Sequence, residues 1–142
     1  SVVEKSGANL SSDIGPRPMT VLGNVTALNG AISNLVTNAI EAGAKNVKIE
    51  LVADTKNVMI SVKNDGPMIK PEVRAHIFEP FYTTKSNGTG LGLAVVAAVA
   101  KVHQGDIRLV SNEKETVFTM IIPKYEGVLE PSESFKDEKS VA

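Results

Sequence analysis

Three clusters in this 142-residue chain have residue types and spacings that could do chemistry. In the first, Asn34, Asn38 and Glu41 recur at steps of four and three. On a helix they fall within roughly 60° of one another. Asn is a poor helix former, so two in mid-helix need a reason. One reason is a solvated face. The other is a set of side-chain oxygens for a hard cation such as Mg²⁺, which prefers oxygen and keeps several waters. The second cluster is Asn64-Asp65-Gly66-Pro67-Met68-Ile69. Taken alone it reads as a turn. The functional alternative is a pocket wall, where an amide or carboxylate meets a base edge and glycine lets a ligand approach the backbone. The third is Gly88-Thr89-Gly90-Leu91-Gly92-Leu93 entering a helix, with Lys85 just upstream. Glycines at alternate positions suit a backbone that must approach something closely. A helix N-terminus offers N–H groups and a positive dipole end to phosphate, and a loop Lys could add an ammonium. Close packing of the helix on its neighbours, with a solvated Lys, is the alternative. The spacing is neither the Walker A nor the Rossmann pattern.

The surrounding elements must position these clusters. Leu28, Ala31, Ile32, Leu35, Val36 and Ala39 form one apolar face of a helix over 28–42, with Gly43 as C-cap. Val47, Ile49 and Leu51, then Val58, Ile60 and Val62, alternate as a hairpin with its turn at Asp54 to Asn57. Pro71 opens a short helical segment through Phe78, and Pro80 ends it. Tyr82 to Thr89 reads as a mobile loop. Leu91 to Gln104 is a second helix, stopped by Gly105. Ile107 and Leu109, then Val117, Thr119 and Ile121, predict a hairpin around Asn112 to Glu115, closed by Pro123. The stretch through Met19 is polar and broken by Gly and Pro, a loop or edge segment. After Tyr125 the chain is acidic and Ser-rich, as in a disordered tail. This order predicts an α+β fold, an antiparallel sheet with helices on one face. The division is a segment over 1–19, a domain over 20–124 and a tail over 125–142.

Composition removes other classes. Lys plus Arg is 15 against 16 Asp plus Glu, which argues against a nucleic-acid binder led by phosphate contacts. With no cysteine there is no disulfide, thiolate zinc site or cysteine nucleophile, and with only His76 and His103 there is no His-rich metal cluster. No run is apolar enough to span a membrane, and no secretory signal is visible. The chain begins at Ser1 without Met, as expected of a processed or excised piece of something longer.

Together the three clusters resemble the ATP-binding catalytic domain of sensor histidine kinases, in the superfamily shared with DNA gyrase, the 90-kDa heat-shock chaperone and mismatch-repair ATPases. Residues 34–42, Asn-Leu-Val-Thr-Asn-Ala-Ile-Glu-Ala, are similar to the family's N box. Asn64 to Ile69 is similar to its G1 box, and Ile77 to Lys85 to the F box and the start of the ATP lid. Gly88 to Leu93 is similar to the G2 box. The wording of 38–42 and 79–85 is most similar to nitrogen-regulation-type kinases. The resemblance implies a two-layer Bergerat-type fold with a mixed, mostly antiparallel sheet. It implies Mg²⁺ and ATP or ADP as cofactors, with Asn38 as metal ligand and Asn34 as a second polar contact. Asn34 stands where hydrolysing relatives carry a water-activating Glu, which favours phosphoryl transfer over hydrolysis. Phe78 and Phe81 would anchor the lid. Lys85 would reach the phosphates, and the backbone of Gly88, Thr89, Gly90, Leu91, Gly92 and Leu93 would cradle them. Asn64 and Gly66 would line the base pocket.

Three positions depart from the family pattern. Asn64 stands where the G1 box has an adenine-reading Asp, and is expected to read adenine through its side-chain oxygen. Met68 replaces a glycine, and Glu41 a frequent basic residue, which leaves more of the phosphate work to Lys85. The first two changes bear on nucleotide affinity. No phosphoacceptor histidine motif is present, and His76 and His103 read as surface or packing residues. The resemblance therefore implies a cytoplasmic kinase domain, monomeric when isolated, in a soluble or membrane-anchored parent. Its partner would be a histidine-bearing dimerisation domain placed before Ser1, and indirectly a response regulator. The alternatives are a degenerate nucleotide-binding interaction module and a gyrase-like ATPase.

Overall fold

The computed structural model describes residues 7–15, 20–84, 90–124 and 138–140. In chain order its elements are β1 (Asn9–Ile14), β2 (Thr20–Leu22), α1 (Val25–Glu41), β3 (Asn46–Ala53), β4 (Asn57–Asn64), α2 (Pro71–Arg74), α3 (Gly92–Val102), β5 (Asp106–Ser111), β6 (Thr116–Pro123) and β7 (Glu138–Ser140). Both expected hairpins form. Asp54 Oδ1 accepts from the N–H groups of Lys56 and Asn57, and Asn112 Oδ1 from those of Lys114 and Glu115. Each is a side chain imitating a backbone turn.

Five strands make one sheet in the order β1-β3-β4-β6-β5. The β1–β3 pair is parallel, and the other pairs are antiparallel. A parallel pair needs a crossover, and α1 supplies it between β1 and β3. β4 and β5 each run antiparallel to the intervening β6, so they are parallel to each other, with α3 in the connection between them. The two helices pack on each other and on the sheet. The sheet is therefore mixed, mostly antiparallel, and covered by helices, as the α+β expectation states.

The core lies between these layers. Central β4 alternates half-buried and buried residues. Val58, Ile60 and Val62 are buried, as are Phe118, Met120 and Ile122 on β6. They meet Leu28, Ala31, Leu35 and Ala39 of α1 and Val96 and Ala100 of α3. Each large side chain buried this way contributes about 1.5–3 kcal/mol. With few aromatics, one edge-to-face pair stands out, Phe78 on Phe118 at 6.0 Å between centroids.

Four details sharpen or depart from the sequence expectations. Within the segment through Met19, Asn9–Ile14 is an edge strand, all six residues exposed, framed by Asn9 N–H on Lys45 O and Gly15 N–H on Leu51 O. Main-chain pairing with no buried face leaves no hydrophobic period to read. The helical segment from Pro71 stops at Arg74, and tighter bonds such as His76 N–H to Val73 O carry the chain on through turns. Within the stretch expected to be a disordered tail, Glu138–Ser140 pairs antiparallel with β2. Such a ribbon needs only backbone donors and acceptors, which composition does not report. Finally, the left-handed residue ending α3 is Gln104 (φ 61°), not Gly105. Gly105 is glycine because a Cβ there would lie 2.0 Å from the Ile121 carbonyl oxygen.

Candidate functional site

The site is built where α1 crosses α3. Asn24 caps α1 by accepting the Ala27 N–H at 3.0 Å, and its own N–H donates to His103 Nε2 at 3.0 Å. His103 Nδ1 lies 2.7 Å from Val99 O. Nδ1 therefore carries the proton and Nε2 accepts. His103 is thus a buried packing residue that ties the end of α3 to the start of α1. Gly23 makes room for it, since a Cβ there would sit 2.1 Å from the ring. Farther along, Asn34 Nδ2 donates to Gly92 O at 3.2 Å, tying the middle of α1 to the first residue of α3. The helices are antiparallel, and α1 runs on past the start of α3. Asn38, half-buried, lies one turn beyond the Gly92 contact. A Schellman motif then ends α1, with Gly43 at φ 98°, Gly43 N–H on Ile40 O and Ala44 N–H on Ala39 O.

The start of α3 has no side-chain cap among the described residues. Its N-cap is Leu91, and no acidic residue stands in its first turn. First-turn N–H groups and the dipole's positive end therefore face outward at Gly92 and Leu93. Leu93 packs its side chain on the core, leaving only its backbone for the site. The two glycines here differ. Gly90 has φ 74°, and a Cβ on it would lie 2.2 Å from the Phe81 carbonyl carbon. Gly92 has ordinary φ, and a Cβ there would meet nothing within 4 Å. Gly90 closes a loop, because Phe81 N–H donates to Gly90 O at 2.8 Å and joins both ends of the expected lid. Phe81 does this through its backbone, at φ 69°, while its ring stays exposed. Phe78 anchors by its ring. Lys85, Gly88 and Thr89 lie outside the described residues.

The carboxyl end of β4 forms the opposite wall. Asn64 is buried, and its Oδ1 accepts the Gly66 N–H at 2.9 Å. A Cβ on Gly66 would lie 3.5 Å from Ala44 N, so this turn sits against the chain leaving α1. Asp65 turns away. Its Oδ1 accepts from Lys45 N–H (2.8 Å) and Asn46 N–H (2.9 Å), and its Oδ2 from Asn46 Nδ2 (2.7 Å). Backbone and side-chain donation from Asn46, then backbone donation from Lys45, lower its pKa to about 2. Ile69 N–H donates to Ser111 Oγ at 2.9 Å, and Ser111 Oγ lies 2.7 Å from Thr116 Oγ1. Thr116 is the cross-strand partner of Asn64 and is buried.

These walls come from helix and strand ends, and the chain as a whole is similar to known proteins. The family model described as "Histidine kinase-, DNA gyrase B-, and HSP90-like ATPase" matches residues 23–126. The chain belongs to that ATPase family. The catalytic domain of histidine kinase ThkA superposes with a TM-score of 0.76 at 34% identity, over 86% of this chain and 84% of that one. Sensor histidine kinase CpxA of Escherichia coli (strain K12) is 36% identical over 111 residues, 74% of this chain and 24% of CpxA. Heme sensor protein HssS of Staphylococcus aureus (strain JH9) is 38% identical over 109 residues, 72% of this chain and 23% of HssS. The chain thus spans about a quarter of the length of these curated relatives. It is homologous to the catalytic domains of sensor histidine kinases.

In this ATPase-family domain the sequence-predicted residues converge unevenly. Asn34, Asn38, Gly90, Leu91, Gly92 and Leu93 gather where α1 passes the start of α3, while Asn64 and Gly66 stand at the end of β4. Sequence reasoning passed over Ser111 and Thr116, whose hydroxyls hold the 64–69 turn from behind. They sit either side of the β5–β6 turn, and a Ser and Thr flanking a hairpin turn carry no local signal of a shared network. Among the described residues no group of three or more His, Cys, Asp or Glu side chains could hold a metal ion. Asn38 carries a neutral amide oxygen, a donor type that Mg²⁺ accepts.

Proposed function

We propose that this domain binds Mg·ATP and supplies the γ-phosphoryl group to a histidine on a separate dimerisation domain, as part of a two-component sensor kinase acting in the cytoplasm. One observation carries the reading: the Asn34 amide on Gly92 O sets Asn38 beside an uncapped helix N-terminus. The backbone amides of residues 90–93, with Lys85 from the lid, would receive the phosphates. Asn38 would hold the Mg²⁺, which lowers the charge repulsion of the phosphates when bound. Asn64, Gly66 and the Ser111–Thr116 pair would line the base end. Asn34 binds Gly92 and has no basic nitrogen or carboxylate to activate water, which supports transfer over hydrolysis.

The wording of 38–42 and 79–85 resembles nitrogen-regulation-type kinases, but CpxA, HssS and ThkA are kinases of other names. The proposal therefore stays at sensor histidine kinase and indirect signalling to a response regulator. The runner-up, a weak nucleotide-binding module, draws on Asn64, whose oxygen is already engaged by Gly66. Mixing the chain with a separately made acceptor-helix domain and labelled ATP separates the readings. Acid-labile phosphate on the acceptor is expected. Inorganic phosphate without acceptor would point to an ATPase, and neither product to the module.

A further inference from the structure

We infer that Asn64 makes the base pocket a reader of 6-oxopurines, so that inosine and guanosine triphosphates bind at least as well as ATP. This rests on the proposed nucleotide site and names its substrate class more closely. The orientation of the Asn64 amide follows from its partner. Gly66 N–H, 2.9 Å away, can only donate, so the atom facing it is Oδ1 and the other end of the amide is Nδ2. Flipping the amide would set N–H against N–H and leave a buried backbone donor without an acceptor. A carboxylate at this position would keep one oxygen for Gly66 and present the second to a ligand. The amide presents N–H instead.

No neighbouring carboxylate restores the acceptor. Both oxygens of Asp65 are held by Lys45 and Asn46. The Ser111–Thr116 pair, next to Asn64 across the β4–β6 ladder, can donate and accept alike. Asn64 Nδ2 is the group at this end that can only donate. The 6-position of adenine is an amino donor, whereas hypoxanthine and guanine carry an acceptor oxygen there. Inosine differs from adenosine only on this edge, through O6 in place of the amino group and a proton on N1. It lacks the extra amino group of guanine.

The test is calorimetric titration of the 142-residue chain with the Mg²⁺ complexes of ITP, GTP and ATP, before and after Asn64→Asp. The wild-type chain should bind ITP as tightly as ATP or more so, and Asn64→Asp should shift the ITP:ATP ratio toward ATP by about tenfold. A wild-type preference for ATP over ITP of about tenfold or more would overturn the inference while leaving the nucleotide site standing. Failure of all three triphosphates to bind would overturn both. The wild-type ratio decides the matter even where the variant does not fold.

Discussion

At the carboxyl end of β4, the side chains of Asn64 and Asp65 and the Ile69 N–H are tied to Gly66, Lys45, Asn46 and Ser111. At the amino end of α3, well further along the chain, no described side chain caps the first turn and a Cβ on Gly92 would meet nothing. The two regions meet across α1. The first is a wall whose shape is set by its own hydrogen bonds, and the second is a helix start without a side-chain cap among the described residues, the proposed phosphate cradle. The contrast fits the two tasks proposed for the site. A base is recognised by fixed polar groups, whereas a polyphosphate arrives with its own charge and ions and needs open amides.

The largest expected effect is at the hinge of the cradle. Gly90→Ala forces a Cβ into the Phe81 backbone at positive φ and should cost about 3 kcal/mol or more of stability. Urea unfolding measures it, and a loss below about 1 kcal/mol would mean the Phe81–Gly90 closure does not hold the lid. Next comes the wall. Ser111→Ala leaves the Ile69 N–H without its acceptor and should cost about 2 kcal/mol in the same assay. An unchanged midpoint would show that the wall does not depend on this bond. Asn34→Ala should cost about 1 kcal/mol of stability and weaken triphosphate binding several-fold, leaving adenosine binding unchanged. Equal losses for both ligands would erase the distinction between cradle and wall. Gly92→Ala should do the opposite to stability, raising it by up to about 1 kcal/mol through helix propensity, while weakening triphosphate binding by crowding the open amides. A gain in both would place the phosphates elsewhere.

The smallest effect is confined to acid. The Asp65 pKa is depressed in the folded state, from 3.8 to about 2. Its carboxylate therefore contributes stability above pH 3.8, and that contribution is lost as pH falls toward 2. Asp65→Asn should flatten the pH dependence of the melting temperature over that interval. An identical slope in both proteins would detach the turn from Asp65.

Much of the scaffold was legible because its signals are local. Asp54 and Asn112 announced their turns, Gly43 its helix end, and the alternation over 47–62 its hairpin. β1 was not legible as a strand, since an exposed edge buries no face. Gly105 was read as a stop when its real constraint is the Ile121 carbonyl, a contact with a strand 16 residues later in the chain. At the site, the positions of Asn34, Asn38, Asn64 and the glycines could be picked from spacing and resemblance. What their atoms do could not. Asn34 and Asn38 look alike on a helical wheel, and only the start of α3 makes one a tether to Gly92. Asn64 and Asp65 are neighbours in the turn, and only the chain at 45–46 decides that Asp65 faces away.

The sequence by itself determined the α+β class, the hairpins, the helix faces and the family likeness, because periodicity, turn chemistry and motif spacing are properties of neighbouring residues. Tertiary structure alone decided which donors and acceptors are already satisfied: Asn64 Oδ1 by Gly66, Asp65 by Lys45 and Asn46, Ser111 by Ile69, and the first turn of α3 by no side-chain cap. A polar group can serve a ligand only through the lone pairs and protons its own fold leaves over, and the packed chain sets that remainder.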